Sequence, residues 1–265
     1  MILIAAAIAL TAALSIACNS SGRAGTATPS ATGTAGGTPG VTVTLTSPTP
    51  TQDAGSETPT APVASPSPEQ PTLEAMVLKA DDLPAGLVRV SAVTSTNADV
   101  ASAAAKPAEQ MAILESWGRL LGYDVTFQPG PDAPQDLPIR GVNSTASLYK
   151  TPDGAKQSFA DGAHTARTQD WQKSYSNLSD VRVREIKQPE LADEVAWIRI
   201  TGLQGDKKDL ILVDDFVLLR RGRVRGFLRI TTLFPASAGQ DAYHSEVGAQ
   251  AARQVQLIDS AMAGS

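Results

Sequence analysis

The chain is 265 residues long, 42% hydrophobic and 18% charged, with a formal net charge of −5 and a single cysteine. A basic excess of the kind that drives nucleic-acid binding is absent, and one cysteine cannot build a disulfide framework. Every Trp, Tyr and Phe lies after residue 110, so the packed core belongs to the C-terminal part of the chain.

The first seventeen residues, MILIAAAIALTAALSIA, are apolar except for Thr11 and Ser15. The run is short for a bilayer of ~30 Å and suits the apolar region of an export signal. Ser15, Ile16 and Ala17 lead directly into Cys18, a step that resembles the bacterial lipobox. The resemblance implies cleavage before Cys18, a diacylated thiol and anchoring in the cell membrane on its extracytoplasmic face. Two or more acyl chains hold a bilayer stably where one does not. The alternative is a cleaved secretory signal in which the cysteine is incidental. From Asn19 to Thr72 the composition is almost wholly Ser, Thr, Pro, Gly and Ala, which cannot offset its own ordering entropy. Residues 18–72 therefore read as a lipidated cysteine with a disordered tether.

One domain is expected over residues 73–265. LEAMVLKADDLPAG opens it with helical spacing at Leu73, Met76, Val77 and Ala80, stopped by Asp81, Asp82 and the Leu83–Pro84 step. LVRVSAV, 87–93, alternates as a strand. PAEQMAILESWGRLLG, 107–122, places Met111, Leu114, Trp117 and Leu121 on one helical face, with Gly122 as a stop. YDVTFQ, 123–128, and GVNSTASLYK, 141–150, form a strand pair. Thr151 caps a helix that starts at Pro152 and is expected to run to about Tyr175. Strands follow at 181–186, 194–203, 209–220 and 223–234, the last two joined as a hairpin around Gly222. Tyr243, Val247, Ala251, Val255, Ile258 and Met262 recur every three or four residues and close the chain with an amphipathic helix. The sum is an α+β domain, an antiparallel sheet with helices packed on it.

The stretches LKADDLPAG (78–86), WGRLLGYDVTF (117–127) and SLYKTPDGAKQSF (147–159), with the late hairpin, resemble a group of bacterial lipoproteins from Chloroflexi-like organisms. More distantly, the arrangement is similar to the PsbP/Mog1-like α/β/α sandwich of mycobacterial lipoproteins and to the extracytoplasmic sensor domain of PknH-type kinases. Those sensors carry disulfides and this domain has no cysteine. The resemblance implies an extracytoplasmic binding or sensing role and brings no catalytic residues with it.

His164 and His244 have no metal-ligand spacing, there is no G-x-S-x-G elbow, and no cofactor is implied. Asp214 and Asp215 are strand neighbours and should face opposite ways, while Asp81 and Asp82 fit a helix-to-turn transition. Trp117, Trp171 and Trp197 occupy core-facing positions. The densest charge cluster is LLRRGRVRGFLRI, with Arg220, Arg221, Arg223, Arg225 and Arg229. Arg223, Arg225 and Arg229 share strand parity opposite Val224, Leu228 and Ile230, and Arg199 joins them if its strand is adjacent. Such a face suits an anionic cell-envelope polymer, a headgroup or an acidic protein partner. The structural alternative pairs these arginines with Glu194, Asp206, Asp209 or Asp214 across strands.

Two functional classes follow from this. One is a non-catalytic lipoprotein that binds or senses a small molecule, polymer or protein, with the membrane as its anchor. The other is an extracytoplasmic hydrolase whose residues converge only in three dimensions; an accessory role in envelope assembly is a third, lesser option. A cleft with convergent carboxylates or a Ser–His pair would mark the enzyme, and an apolar groove the binder.

Overall fold

Alternation of apolar and polar residues organises most of the chain after residue 86, and seven antiparallel strands result. They run β1 (Leu87–Ser95), β2 (Arg119–Pro129), β3 (Ile139–Tyr149), β4 (Ser179–Ile186), β5 (Glu194–Gln204), β6 (Leu210–Arg221) and β7 (Val224–Pro235). The computed structural model describes residues 72–188, 190–205, 208–239, 241 and 243–264; the export signal, Cys18 and the tether lie outside the described residues. In space the order is β1-β2-β3-β7-β6-β5-β4. The β6–β7 hairpin therefore sits near the middle, flanked by β3 and β5.

Helices cover both faces. The inner face carries α5 (His244–Ala263) and a 3-10 turn at Leu73–Met76; the outer face carries α3 (Pro152–Thr168) and the single turn α4 (Trp171–Ser174). On the inner face Val247, Ala251, Val255 and Ile258 of α5 join one core with Trp197, Val217, Leu219, Leu228 and Ile230. On the outer face Phe159, Ala163, Ala166 and Trp171 join a second core with Ala196, Ile198, Ile200, Phe216 and Leu218. Burial on both faces explains why β5 and β6 read as continuous apolar runs whereas β3 alternates. Each large side chain so buried contributes about 1.5–3 kcal/mol, which is how a disulfide-free domain is held. The short helices α1 (Asn97–Ser102) and α2 (Pro107–Ser116) pack at the β1–β2 end.

Four expectations are corrected. The opening helix is two 3-10 turns, Leu73–Met76 and Ala80–Asp82, because Val77 is extended and Asp82 turns back to accept from the Lys79 amide at 2.8 Å. The helix at 107 ends at Ser116 rather than Gly122: Gly118 takes φ +66°, and β2 starts at the next residue. The helix from Pro152 stops at Thr168, since Gln169 is extended and the Asp170 carboxylate caps the separate turn α4. Trp117 caps α2 and is only partly buried, unlike Trp171 and Trp197, which are core residues at 4% and 0% exposure.

Candidate functional site

The arginine cluster was expected to form one basic face, and strand register divides it. Val224, Leu228 and Ile230 face inward into the α5 core and Arg225 and Arg229 face outward, as parity requires. Arg223 stands in the hairpin turn beside Gly222, whose φ is +55°, and so is not on the returning strand. Arg199 does not join the others: β6 separates its strand from β7, and its side chain lies on the inner face, 1% exposed, donating from Nε to Asp215 Oδ1 at 2.8 Å.

Most of the cluster is neutralised within the fold. At the hairpin end Arg220 pairs with Glu194 and with Asp193, and Arg221 with Asp193 and Asp259. The Asp193 carboxylate also accepts the Gly222 amide at 2.8 Å. That amide, followed by the guanidinium groups, holds its pKa below the usual range despite partial burial. On the outer face Arg229 pairs with Asp214 at 2.6 Å and lies over the Phe216 ring at 5.0 Å. Burial opposes the Arg229 charge, but the Asp214 carboxylate outweighs it and raises the pKa. Of the acids expected as partners, Asp214 and Glu194 serve; Asp206 lies outside the described residues.

Arg225 differs. Its Nη1 donates to the neutral Ser158 Oγ at 3.1 Å, and its Nε is buried without a hydrogen-bond partner.

The paired aspartates face opposite ways. Asp215 is inward, 0% exposed, and accepts from Trp197 Nε1 at 2.5 Å as well as from Arg199. Burial raises its pKa against the pull of Arg199. Asp214 is outward, also 0% exposed, and accepts from Tyr175 at 2.5 Å and Thr231 at 3.0 Å. Burial, then the Asp214 charge, pushes the Tyr175 phenol upward. Both carboxylates are fully buried and paired with arginines. Asp82 is likewise structural, accepting from Arg253 at 2.7 Å.

An accessible hollow lies elsewhere, on the inner face at the β1–β2 edge. The 3-10 turns near the start of the domain form its wall. The groove holds about 380 Å³; Val77, Leu78, Val125 and Phe127 line its apolar part, with Glu74, Arg89 and Tyr123 at its polar rim. Leu78 is fixed by its amide, which donates to Ser144 Oγ at 3.1 Å. Arg89 stands 3.9 Å from Glu74, and burial together with Glu74 raises the Tyr123 phenol pKa. Sequence reasoning placed these residues in a helix and two strands without assembling them, because the bulge between Arg89 and Ser91 and the extended Val77 break the regular periods.

A second, wider hollow of about 400 Å³ is bordered by Arg184, Lys187, Asp241 and His244, whose ring stacks on Trp197 at 4.7 Å. His164 belongs to α3 on the outer face and His244 to α5 on the inner face. Among the described residues no three His, Cys, Asp or Glu gather as metal ligands, and no helix is long and apolar enough to cross a membrane.

No family model and no curated protein sequence matches the chain. Among solved structures, the extracellular domain of PknH from Mycobacterium tuberculosis is similar, with 12% identity and a TM-score of 0.40, covering 71% of this chain and 94% of that one.

Proposed function

We propose that the chain is an extracytoplasmic lipoprotein, anchored through Cys18, whose domain binds or senses a small amphipathic ligand without catalysis. The groove at the β1–β2 edge carries this reading. Its volume of about 380 Å³ falls in the range of small-molecule sites, roughly 300–1,000 Å³, and an apolar floor with a few charged groups at the rim suits a ligand with an apolar body and a polar end. The adjacent carboxylates Asp214 and Asp215 are each held in a salt bridge on opposite faces of the sheet.

The full chain is purified in detergent, and its bound small molecules are identified by native mass spectrometry, beside a Phe127→Ala variant and a Val125→Trp variant that fills the groove. A co-purifying or added ligand that raises the melting temperature of the parent chain, and does so less in Val125→Trp, supports the reading. A ligand that stabilises both chains equally overturns the assignment to this groove. For the anchor, radiolabelled palmitate should enter the parent chain and not Cys18→Ser; membrane association that persists in that variant would sink the lipoprotein reading.

A further inference from the structure

Register places a second cation beside Arg225, whose Nε is buried without a hydrogen-bond partner. Gly122 of β2, Ser147 of β3 and Arg225 of β7 stand in one cross-strand row on the outer face, with neighbouring strands ~4.8 Å apart. Gly122 has no side chain, and Arg119 from the start of β2 fills the space: a Cβ on Gly122 would fall 2.2 Å from Arg119 Nη2 and 3.2 Å from Ser147 Oγ. The Arg119 guanidinium is thereby laid across the sheet toward Ser147.

Arg119 is 6% exposed. Its Nη1 donates to Ser95 O at 3.2 Å and Asn97 Oδ1 at 3.1 Å, and its Nη2 to Ser95 Oγ at 2.9 Å. All three acceptors are neutral. Asp124 is the nearest acid in the row above and is itself engaged, accepting from Thr145 at 2.5 Å and Ser95 at 3.4 Å. The hydrogen bonds that Arg119 and Arg225 make among the described residues go to Ser95, Asn97 and Ser158, none of them an acid. Burial lowers the Arg119 pKa, and the Arg225 charge pushes the same way against Tyr149 and Asp124. On the other side of the row Ser158 Oγ, 1% exposed, is shared between Arg225 at 3.1 Å and the Tyr149 hydroxyl at 2.6 Å.

Burying a guanidinium without a counter-charge is costly, and a second, half-buried one beside it adds to the cost. The paired arginines of the hairpin each meet an acid, whereas the hydrogen bonds of these two go to neutral groups. We propose that Arg119 and Arg225, with the Ser147 hydroxyl between them, bind one small oxyanion group, a phosphate or a carboxylate. Two planar donor forks flanking a hydroxyl carry the donors that either group accepts. The site is on the face opposite the groove and stands independently of the ligand assigned there.

The test is calorimetric titration of the full chain in detergent at low ionic strength with inorganic phosphate and, separately, with acetate. Saturable binding of one anion per chain is expected, weakened about tenfold or more in Arg225→Gln and weakened by added chloride. Arg119 also ties β1 to α1, so Arg119→Lys, which keeps the charge and loses the fork, replaces a truncation there and should weaken binding as well. A second readout needs no affinity: Arg225→Leu should raise the melting temperature in anion-free buffer and lose the further rise that phosphate or acetate gives the parent chain. Response to only one of the two anions supports the site and assigns its head group. Absence of saturable binding of both by the folded parent chain, or unchanged binding in Arg225→Gln, overturns it. Groove ligands are unaffected by these variants, so failure here leaves the groove reading where it stood.

Discussion

A Cβ on Gly162 would lie 2.6 Å from Nη2 of Arg225 and 2.9 Å from a methyl of Leu218. Helix α3 approaches β6 and β7 so closely here that any side chain at this position must displace the ends of Arg225 and Leu218. The glycine weakens the isolated helix by about 1 kcal/mol relative to alanine, and its placement shows why that is tolerated: Arg225 passes beneath it to reach Ser158. Gly162→Ala should lower stability by about 1–3 kcal/mol through overpacking, where helix propensity alone predicts a gain. Urea unfolding of the two chains checks the sign, and a stabilised variant would show that α3 rides higher on the sheet.

The inner core contains an ion pair with no exposed edge. Arg199 and Asp215 are each about 1% exposed at the side chain, and Trp197 completes the carboxylate's partners. Arg199→Met strands the buried Asp215 carboxylate and Asp215→Asn takes the anion from the buried Arg199, so each should cost about 3–5 kcal/mol. The double change Arg199→Met with Asp215→Leu removes both charges and should recover most of that loss, since apolar replacements of a buried pair are often neutral. Melting temperatures of the three variants and the parent decide it; equal losses in the double and single variants would mean that the pair itself, and not the orphaned charge, supports the fold.

How much of this was legible depends on the range of the signal. The alternation that places Val224, Leu228 and Ile230 inward is local to one strand, and it came through. So did the opposed faces of Asp214 and Asp215, which follow from a period of two. The burial of Arg199 was not legible, because its side of the sheet depends on which strands flank β5, and the order β7-β6-β5 is a property of the whole sheet. Gly122 illustrates the same limit: it reads as a helix stop, yet the helix ends before Gly118, whose backbone is left-handed, and Gly122 is a strand site beneath Arg119. Arg119 carried no signal at all, being a lone arginine in WGRLLG until Gly122, Ser147 and Arg225 fall into one row.

Acid should loosen the hairpin end before the core. Asp193 is held below the ordinary carboxylate range by the Gly222 amide first and by Arg221 and Arg220 after it. A depressed folded pKa gives stability that is present above the unfolded value of about 4 and is lost as pH falls through the folded value. Asp215 has the opposite sign, raised by burial, so its contribution declines as pH rises through its folded pKa. Asp193→Asn should therefore lower the melting temperature at neutral pH and flatten its fall between about pH 5 and pH 2. A parallel fall in parent and variant would remove Asp193 from the acid-sensitive set.

Tyr175 closes the outer-face network by donating to Asp214, which Arg229 and Thr231 also reach. Phenylalanine fits the same space and keeps the ring contact with Trp171 at 6.1 Å, so Tyr175→Phe deletes one donor and little else. Asp214 retains two partners, and the expected cost is about 1–2 kcal/mol. Arg229→Met removes the only cation reaching the same carboxylate among the described residues and should cost more, about 3 kcal/mol or above. Because both variants act on Asp214, their effects should fail to add in the double variant. Additive losses, measured by denaturant unfolding, would show that Tyr175 and Arg229 stabilise the α4 edge through separate contacts.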